Sequence, residues 1–427
     1  MGGCHAGHSA TNGVNSSNRA TFWLGVSKSR FWDTKGMSVR PALAALPELV
    51  VAPGPAFGIY VHVPFCATRC GYCDFNTYTA AELGGASPHG WLTALRTELE
   101  LAADRLGAVP VDTVFVGGGT PSLLGGAGLA EVLDAVRGTF ALAAGAEVTT
   151  EANPESTSAP FFEQIRAAGY TRVSLGMQST APRVLAVLDR THSPGRALQA
   201  ADEAAAAGFE HLNIDLIYGT PGESDDDLLR SVDAALAAGV DHVSAYALVV
   251  EAGTALARRV RRGDIDPPDD DVLAHRYELL DQRLADAGLS WYEVSNWSRP
   301  GGECRHNVGY WNGGQWWGAG PGAHGFVADT RWWNIKHPSA YAQQLADGQL
   351  PIAEFERLDG HARHIEDVLL QIRLRTGLPI ATLTESEQLR AGDAVDRGLL
   401  IRADDRLVLT DRGRLLADAV VRDLLDD

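Results

Sequence analysis

Six short apolar, β-branched runs recur along the chain, near Phe57 to Val63, Asp112 to Val116, Glu147 to Thr150, Arg172 to Leu175, His211 to Ile217 and His242 to Leu248. Each precedes a helical stretch. Leu92, Leu95, Leu99, Ala102 and Leu106 carry the spacing of one amphipathic helix, and Leu129, Val132, Leu133, Val136 and Phe140 that of another. Six β-then-α units in succession require parallel strands with right-handed crossovers. The expected fold is α/β: a partial (β/α)6, TIM-like barrel.

Functional residues of such barrels lie at the C-terminal ends of the strands. The chemistry-bearing candidates fall there. Cys66, Cys70 and Cys73 follow the first run, Gly117-Gly118-Gly119-Thr120-Pro121-Ser122 the second, Glu151 the third and Gln178 the fourth, with Asp215 late in the fifth. Three thiols within eight residues make a soft-metal loop. A structural zinc needs four ligands, usually from two paired segments, and no second pair lies near. A cubane cluster takes thiolates from a compact loop, and three thiolates leave one iron open. The glycine run lets backbone approach a ligand and expose its N–H groups, or serves as a tight turn.

The bounds are broad. Five cysteines, three of them in the loop, leave Cys4 and Cys304 and argue against a disulfide framework. No transmembrane run or cleavable leader appears, so a soluble, cytoplasmic protein is expected. With 36 Lys and Arg against 54 Asp and Glu, the formal net charge of −18 disfavours nucleic acid as a partner. Residues 1–50 begin as a Gly/Ser/Asn-rich segment without period, expected to be disordered or an upstream-start artefact, with residues 1–36 dispensable.

Two domains are expected beyond it: the barrel over 51–290 and a second over 291–427. Asp264 to Asp271 reads as a connector and Val272 to Ala287 as a helix. Between Trp291 and Trp333 lie seven of the ten tryptophans, interleaved with glycine. They suit either a flat surface around a planar ligand or an aromatic core. The chain from about Ala340 reads as mostly helical, and Gly398 to Thr410 as two short strands with Thr410 capping the next helix. Helix, hairpin and helix make a winged-helix-like element, too acidic for DNA.

The C-x-x-x-C-x-x-C pattern, with Tyr72 before its last Cys, resembles the signature of the radical S-adenosylmethionine (radical SAM) superfamily. The resemblance implies a 4Fe-4S cluster on Cys66, Cys70 and Cys73, with S-adenosylmethionine on the open iron. The spacing of Glu151, Gln178, Arg190 and Asp215 is similar to that of the coproporphyrinogen-oxidase-like branch. By that likeness they line the cofactor's sugar, adenine and amino-acid ends with Tyr60, Tyr72, Gly118, Gly119 and Thr120. His306-Asn307-Val308-Gly309-Tyr310-Trp311 resembles the H-N-x-x-Y-W marker of the HemW-type haem chaperones, which makes His306 the expected haem-binding residue. The oxygen-independent coproporphyrinogen III oxidases of porphyrin biosynthesis carry a further Cys where this chain has Phe75.

The expected function is therefore a haem chaperone that transfers haem to an acceptor protein, with no residue given a catalytic role. The rival is a radical SAM decarboxylation of coproporphyrinogen III, which Phe75 and His306 disfavour. A reductant protein and a homodimer both remain open. Cys304 and His324 receive no role.

Overall fold

The computed structural model describes residues 40–41, 46–52, 54, 56–191 and 193–425. The segment 1–36, expected to be dispensable, and Cys4 lie outside these residues.

The six runs form strands β1 (Phe57–Val63), β2 (Val111–Gly118), β3 (Leu142–Ala152), β4 (Arg172–Gln178), β5 (His211–Tyr218) and β6 (His242–Ala247). They pair in parallel and in sequence order. Helices follow them, among them Pro88–Leu106, Gly125–Thr139, Ala159–Ala168, Arg196–Ala206 and Asp225–Ala237. Side chains alternate along each strand. Ile59, Val61, Val114, Val116, Val173, Leu175, Leu212 and Ile214 join the main apolar core. Tyr60, Phe115, Thr149, Arg172, Ser174, Asn213, Asp215, His242 and Ser244 face the barrel lumen instead. The outer face is hydrocarbon and the inner face polar, which prepares the interior for chemistry.

The sheet does not end at residue 290. Beyond β6 it gains Asn296–Ser298 and Ser290–Glu293. Beyond β1 it gains Gln315–Ala319 in parallel, then His324–Val327, Thr330–Asn334, Ile352–Arg357 and the two residues Arg40–Pro41. One expectation is corrected here. Leu46 and Leu49 belong to the main core, and Arg105 donates to the carbonyls of Leu46 and Pro47, so the chain is docked before residue 50. Residues after Ala340 are mostly helical, as expected, and add the strand Ile352–Arg357, which pairs antiparallel with Thr330–Asn334.

The tryptophan window is largely core. Trp297, Trp311, Trp317 and Trp332 are fully buried, and the rings of Trp317 and Trp332 lie 4.8 Å apart. This replaces the flat, ligand-facing surface with packing behind the barrel.

The C-terminal part has its own core, drawn from residues between Val368 and Leu424. Its three-stranded sheet places Arg406–Leu409 between Leu378–Pro379 and Leu400–Ala403. Thr410 caps the following helix by accepting from the Gly413 N–H at 3.0 Å, as expected. Arg414 fastens this unit to the barrel helix Asp270–Asp286. It donates to both oxygens of Asp281, at 2.9 and 2.6 Å, and sits over the rings of Tyr277 and Trp291.

Candidate functional site

The upper end of the barrel, where the strands finish, carries the cysteine loop. Cys66 N–H donates to the Tyr78 carbonyl at 3.0 Å and Tyr78 N–H to the Pro64 carbonyl at 2.8 Å, so the loop leaves β1 with its base pinned. Gly71 is pinned twice: its N–H donates to the Leu188 carbonyl at 3.0 Å and its carbonyl accepts from Leu256 N–H at 2.7 Å. Tyr72 then packs against the apolar cluster of Val184, Leu188, Leu248 and Leu256.

The three sulfurs are half-buried and free. Two of them already receive donors: the Thr120 hydroxyl points at Cys66 Sγ at 3.7 Å, and Arg190 Nη1 at Cys70 Sγ at 3.4 Å. Burial raises the Cys66 thiol and pushes Cys73 up to about 12. Thiols so placed stay protonated at neutral pH unless a cationic centre takes them as thiolates, which iron does. Among the described residues, no three His, Cys, Asp or Glu side chains converge as ligands of one ion would. A cubane makes no such demand, since each thiolate binds a different iron. The donor set therefore fits a cluster.

Of the two readings open for the glycine run after β2, the geometry is that of a tight turn. Its amides face the loop: Gly119 N–H donates to the Val63 carbonyl and Thr120 N–H to the Phe65 carbonyl, both at 2.7 Å. A Cβ on Gly119 would stand 2.5 Å from the Phe65 carbonyl oxygen, and one on Gly118 2.6 Å from the His62 ring. Gly118 also has φ +112°, in the left-handed half of backbone space. The glycines are needed because the turn lies against the cysteine loop, and these two amides are not exposed to a ligand.

The remaining candidates gather beneath. Glu151 Oε2 accepts from Gly118 N–H at 3.1 Å, while its Oε1 is buried with no protein partner. Burial, then the neighbouring Asp215, raises this carboxyl well above its usual range. An orphaned acceptor here fits a ligand hydroxyl or amine. Asp215 accepts from the Ser174 hydroxyl at 2.9 Å and Asn213 Nδ2 at 2.7 Å. Gln178 sits at φ +67°, where the β4–β5 register slips between Gly176 and Gln178. Such a bulge re-aims a side chain at a strand end. Arg190 Nη2 donates to the Gly176 carbonyl at 3.1 Å and so ties this bulge to Cys70. Tyr60 donates to His62 Nδ1 at 3.0 Å, because His62 Nε2 already donates to the Asn76 carbonyl at 2.9 Å.

His306 is at the other end. It lies in the helix Arg305–Trp311, not in a loop, and this helix closes the lower end where the strands begin. The ring is buried, with Nδ1 2.8 Å from the Thr113 hydroxyl and Nε2 2.8 Å from the Tyr310 hydroxyl. It stacks on Phe115 at 5.4 Å, and burial holds its pKa down to about 3. Glu147 caps this helix, accepting from the N–H groups of Arg305 and His306 at 3.1 and 3.0 Å. Cys304 Sγ lies 3.5 Å from the same carboxylate. The lumen between the two ends has a free volume of about 50 Å³. That is room for a few water molecules, not a macrocycle.

Sequence reasoning missed His62, Asn76, Glu98 and Asn334. Glu98 is fully buried and accepts from Gly320 N–H at 2.8 Å, Asn334 Nδ2 at 2.7 Å and Tyr341 at 2.5 Å. The Gly318 to Gly322 turn it holds packs beneath His62 and Asn76: Asn76 Nδ2 donates to the Pro321 carbonyl at 2.9 Å. An acidic residue on the apolar face of the helix Pro88–Leu106 was the one available signal.

Residues 60–235 match the radical SAM superfamily. The heme chaperone HemW of Mycobacterium tuberculosis is 70% identical over 389 residues, which is 91% of this chain and all of the relative. The heme chaperone HemW of Escherichia coli is 33% identical over 381 residues, covering 86% of this chain and 97% of the relative. Among solved structures, the coproporphyrinogen III oxidase HemN of Escherichia coli superposes with a TM-score of 0.75 at 20% identity, over 87% of this chain and 91% of that one. At that identity it shows the shared fold alone. No helix among the described residues is long and apolar enough to cross a membrane.

Proposed function

This chain belongs to the HemW family of haem chaperones, within the radical SAM superfamily, and on that footing we propose that it binds haem and hands it to an acceptor protein. The observation that carries the reading is the 70% identity running through 91% of the chain, the H-N-x-x-Y-W segment being intact within it. The upper end holds a 4Fe-4S cluster through Cys66, Cys70 and Cys73, with S-adenosylmethionine beside it. When bound, the cluster supplies a one-electron redox centre.

The chain's own residues do the holding. Thr120 and Arg190 donate to the Cys66 and Cys70 sulfurs. Tyr60, Tyr72, Gly118, Gly119, Gln178 and Asp215 line the cofactor's place, and the free oxygen of Glu151 takes one of its donors. The barrel over 51–290 carries this chemistry, and His306, in the stretch 291–427, is the haem ligand. Ligation requires a ring nitrogen to leave Thr113 or Tyr310. Phe75, 38% exposed beside the cluster loop, offers no thiol for the oxidase alternative.

The test is a pair of variants in anaerobically reconstituted protein. Cys70→Ala should lose the cluster's iron and sulfide. His306→Ala should keep them and lose the parent haem spectrum. A His306→Ala protein that binds haem as the parent does would remove His306 from the account.

A further inference from the structure

We propose that Asn76 is a positioning residue of the cluster site: it fastens the Cys73 branch of the cysteine loop, and with it Tyr60, to the main chain of the flanking sheet at Pro321 and Lys336. The inference rests on the cluster reading and adds to it a residue outside the C-x-x-x-C-x-x-C pattern.

The three thiols are not held alike. Cys66 and Cys70 each receive a donor from elsewhere in the barrel, Thr120 and Arg190 respectively. Cys73 is bonded within the loop: its N–H donates to the Cys70 carbonyl at 3.2 Å, and its sulfur accepts from the Phe75 N–H. Asn76, three residues on, ties this branch to the sheet. Its Nδ2 carries two hydrogens and directs them at two main-chain carbonyls, Pro321 at 2.9 Å and Lys336 at 2.8 Å. Its Oδ1 lies 3.1 Å from the Tyr78 hydroxyl, and its own carbonyl accepts from His62 Nε2 at 2.9 Å. A neutral imidazole that donates from Nε2 can only accept at Nδ1, so the Tyr60 hydroxyl must donate there. Asn76 thus acts on a cluster ligand and on a residue lining the cofactor's place.

The turn 318–322 is shaped to receive this amide. A Cβ on Gly322 would stand 2.6 Å from Asn76 Nδ2, and one on Gly320 2.5 Å from the His62 carbonyl oxygen, so both glycines lie against the strand and loop that carry the site. Behind the turn, Glu98 accepts from the Gly320 N–H and from Asn334 Nδ2, while the Gly322 N–H donates to the Ile335 carbonyl at 3.0 Å. A main chain held from behind presents its carbonyls at fixed positions. Groups that stand behind a metal's ligands orient them, and their loss lowers metal affinity.

Full-length parent, Asn76→Ala and Asn76→Asp are reconstituted without oxygen. The Asp side chain keeps the size and the Oδ1 acceptor but turns a carboxylate on two carbonyls. Iron release to a chelator is timed, S-adenosylmethionine affinity is read from the paramagnetic resonance of the reduced cluster, and urea unfolding of the cluster-free protein is followed. Loss of one ordinary hydrogen bond corresponds to roughly fivefold, so Asn76→Ala should release iron at least that much faster and bind S-adenosylmethionine several-fold more weakly, with Asn76→Asp worse on both. Parent values of both in both variants overturn the proposal and leave the cluster on its cysteines. A lowered urea midpoint with S-adenosylmethionine affinity unchanged makes Asn76 a general stabiliser and overturns it too. Failure of the parent itself to hold iron and sulfide removes the cluster reading, and the proposal with it.

Discussion

Arg190 donates from Nη1 to the Cys70 sulfur at 3.4 Å while its Nη2 holds the Gly176 carbonyl at 3.1 Å. One guanidinium thus joins a cluster ligand to the bulge that sets Gln178. Hydrogen bonds and positive charge near cluster sulfurs favour the reduced state. Arg190→Ala should therefore lower the cluster's reduction potential, by on the order of 50 mV for the loss of about 1 kcal/mol in a one-electron couple. A redox titration followed by electron paramagnetic resonance checks this; a potential at or above the parent's contradicts it.

Gly119→Ala should cost more than its single methyl implies. The added Cβ would meet the Phe65 carbonyl oxygen at 2.5 Å, a backbone atom that cannot step aside without moving the cysteine loop. We expect a loss of about 1–3 kcal/mol in stability and reduced iron content after reconstitution. Gly138→Ala, with nothing near its Cβ and, like Gly119, no positive φ, serves as the comparison away from the loop. Parent-level iron in Gly119→Ala would show that the loop does not need this contact.

Glu98 has its pKa raised to about 7, chiefly by burial, with hydrogen bonds from Tyr341, Gly320 and Asn334 opposing. A carboxyl raised in the folded state binds its proton there more tightly than in the unfolded chain. Its contribution to stability therefore falls as pH rises from about 4.5 to 7, by about 1.36 kcal/mol per pH unit. Glu98→Gln should gain on the parent over that window in urea unfolding. A stability difference that is flat with pH would contradict the assignment.

Arg414→Ala should free the C-terminal unit without touching the cluster. The guanidinium is 2% exposed and bonded to both Asp281 oxygens, and breaking a buried pair typically costs about 3–5 kcal/mol. Limited proteolysis should cut after residue 358 sooner, with iron content unchanged. Equal cutting rates would mean that apolar contacts hold the unit instead.

The barrel was legible because its strands are buried on both faces and each reads as a β-branched run beside a helical period. Phe57–Val63 and the start of Arg172–Gln178 show this directly. The flanking strands were not legible. Gln315–Ala319, His324–Val327 and Thr330–Asn334 are short and rich in Trp and Gly, and their sheet partners are set by tertiary context. The cysteine loop was visible in its spacing. Its support was not, since Asn76, Glu98 and Asn334 act across 222 to 245 residues of sequence. The position of His306 was hidden for the same reason: a motif names a residue, but Thr113 and Glu147 on β2 and β3 decide where its ring lies.

The central claim is that this protein carries haem and does not make its precursor. The most direct measurement supplies the cluster-loaded protein with S-adenosylmethionine and reductant, and follows coproporphyrinogen III and haem on one sample. The account predicts stoichiometric haem binding that is lost in His306→Ala, with no protoporphyrinogen IX formed. Turnover of coproporphyrinogen III above a cluster-free control would contradict it.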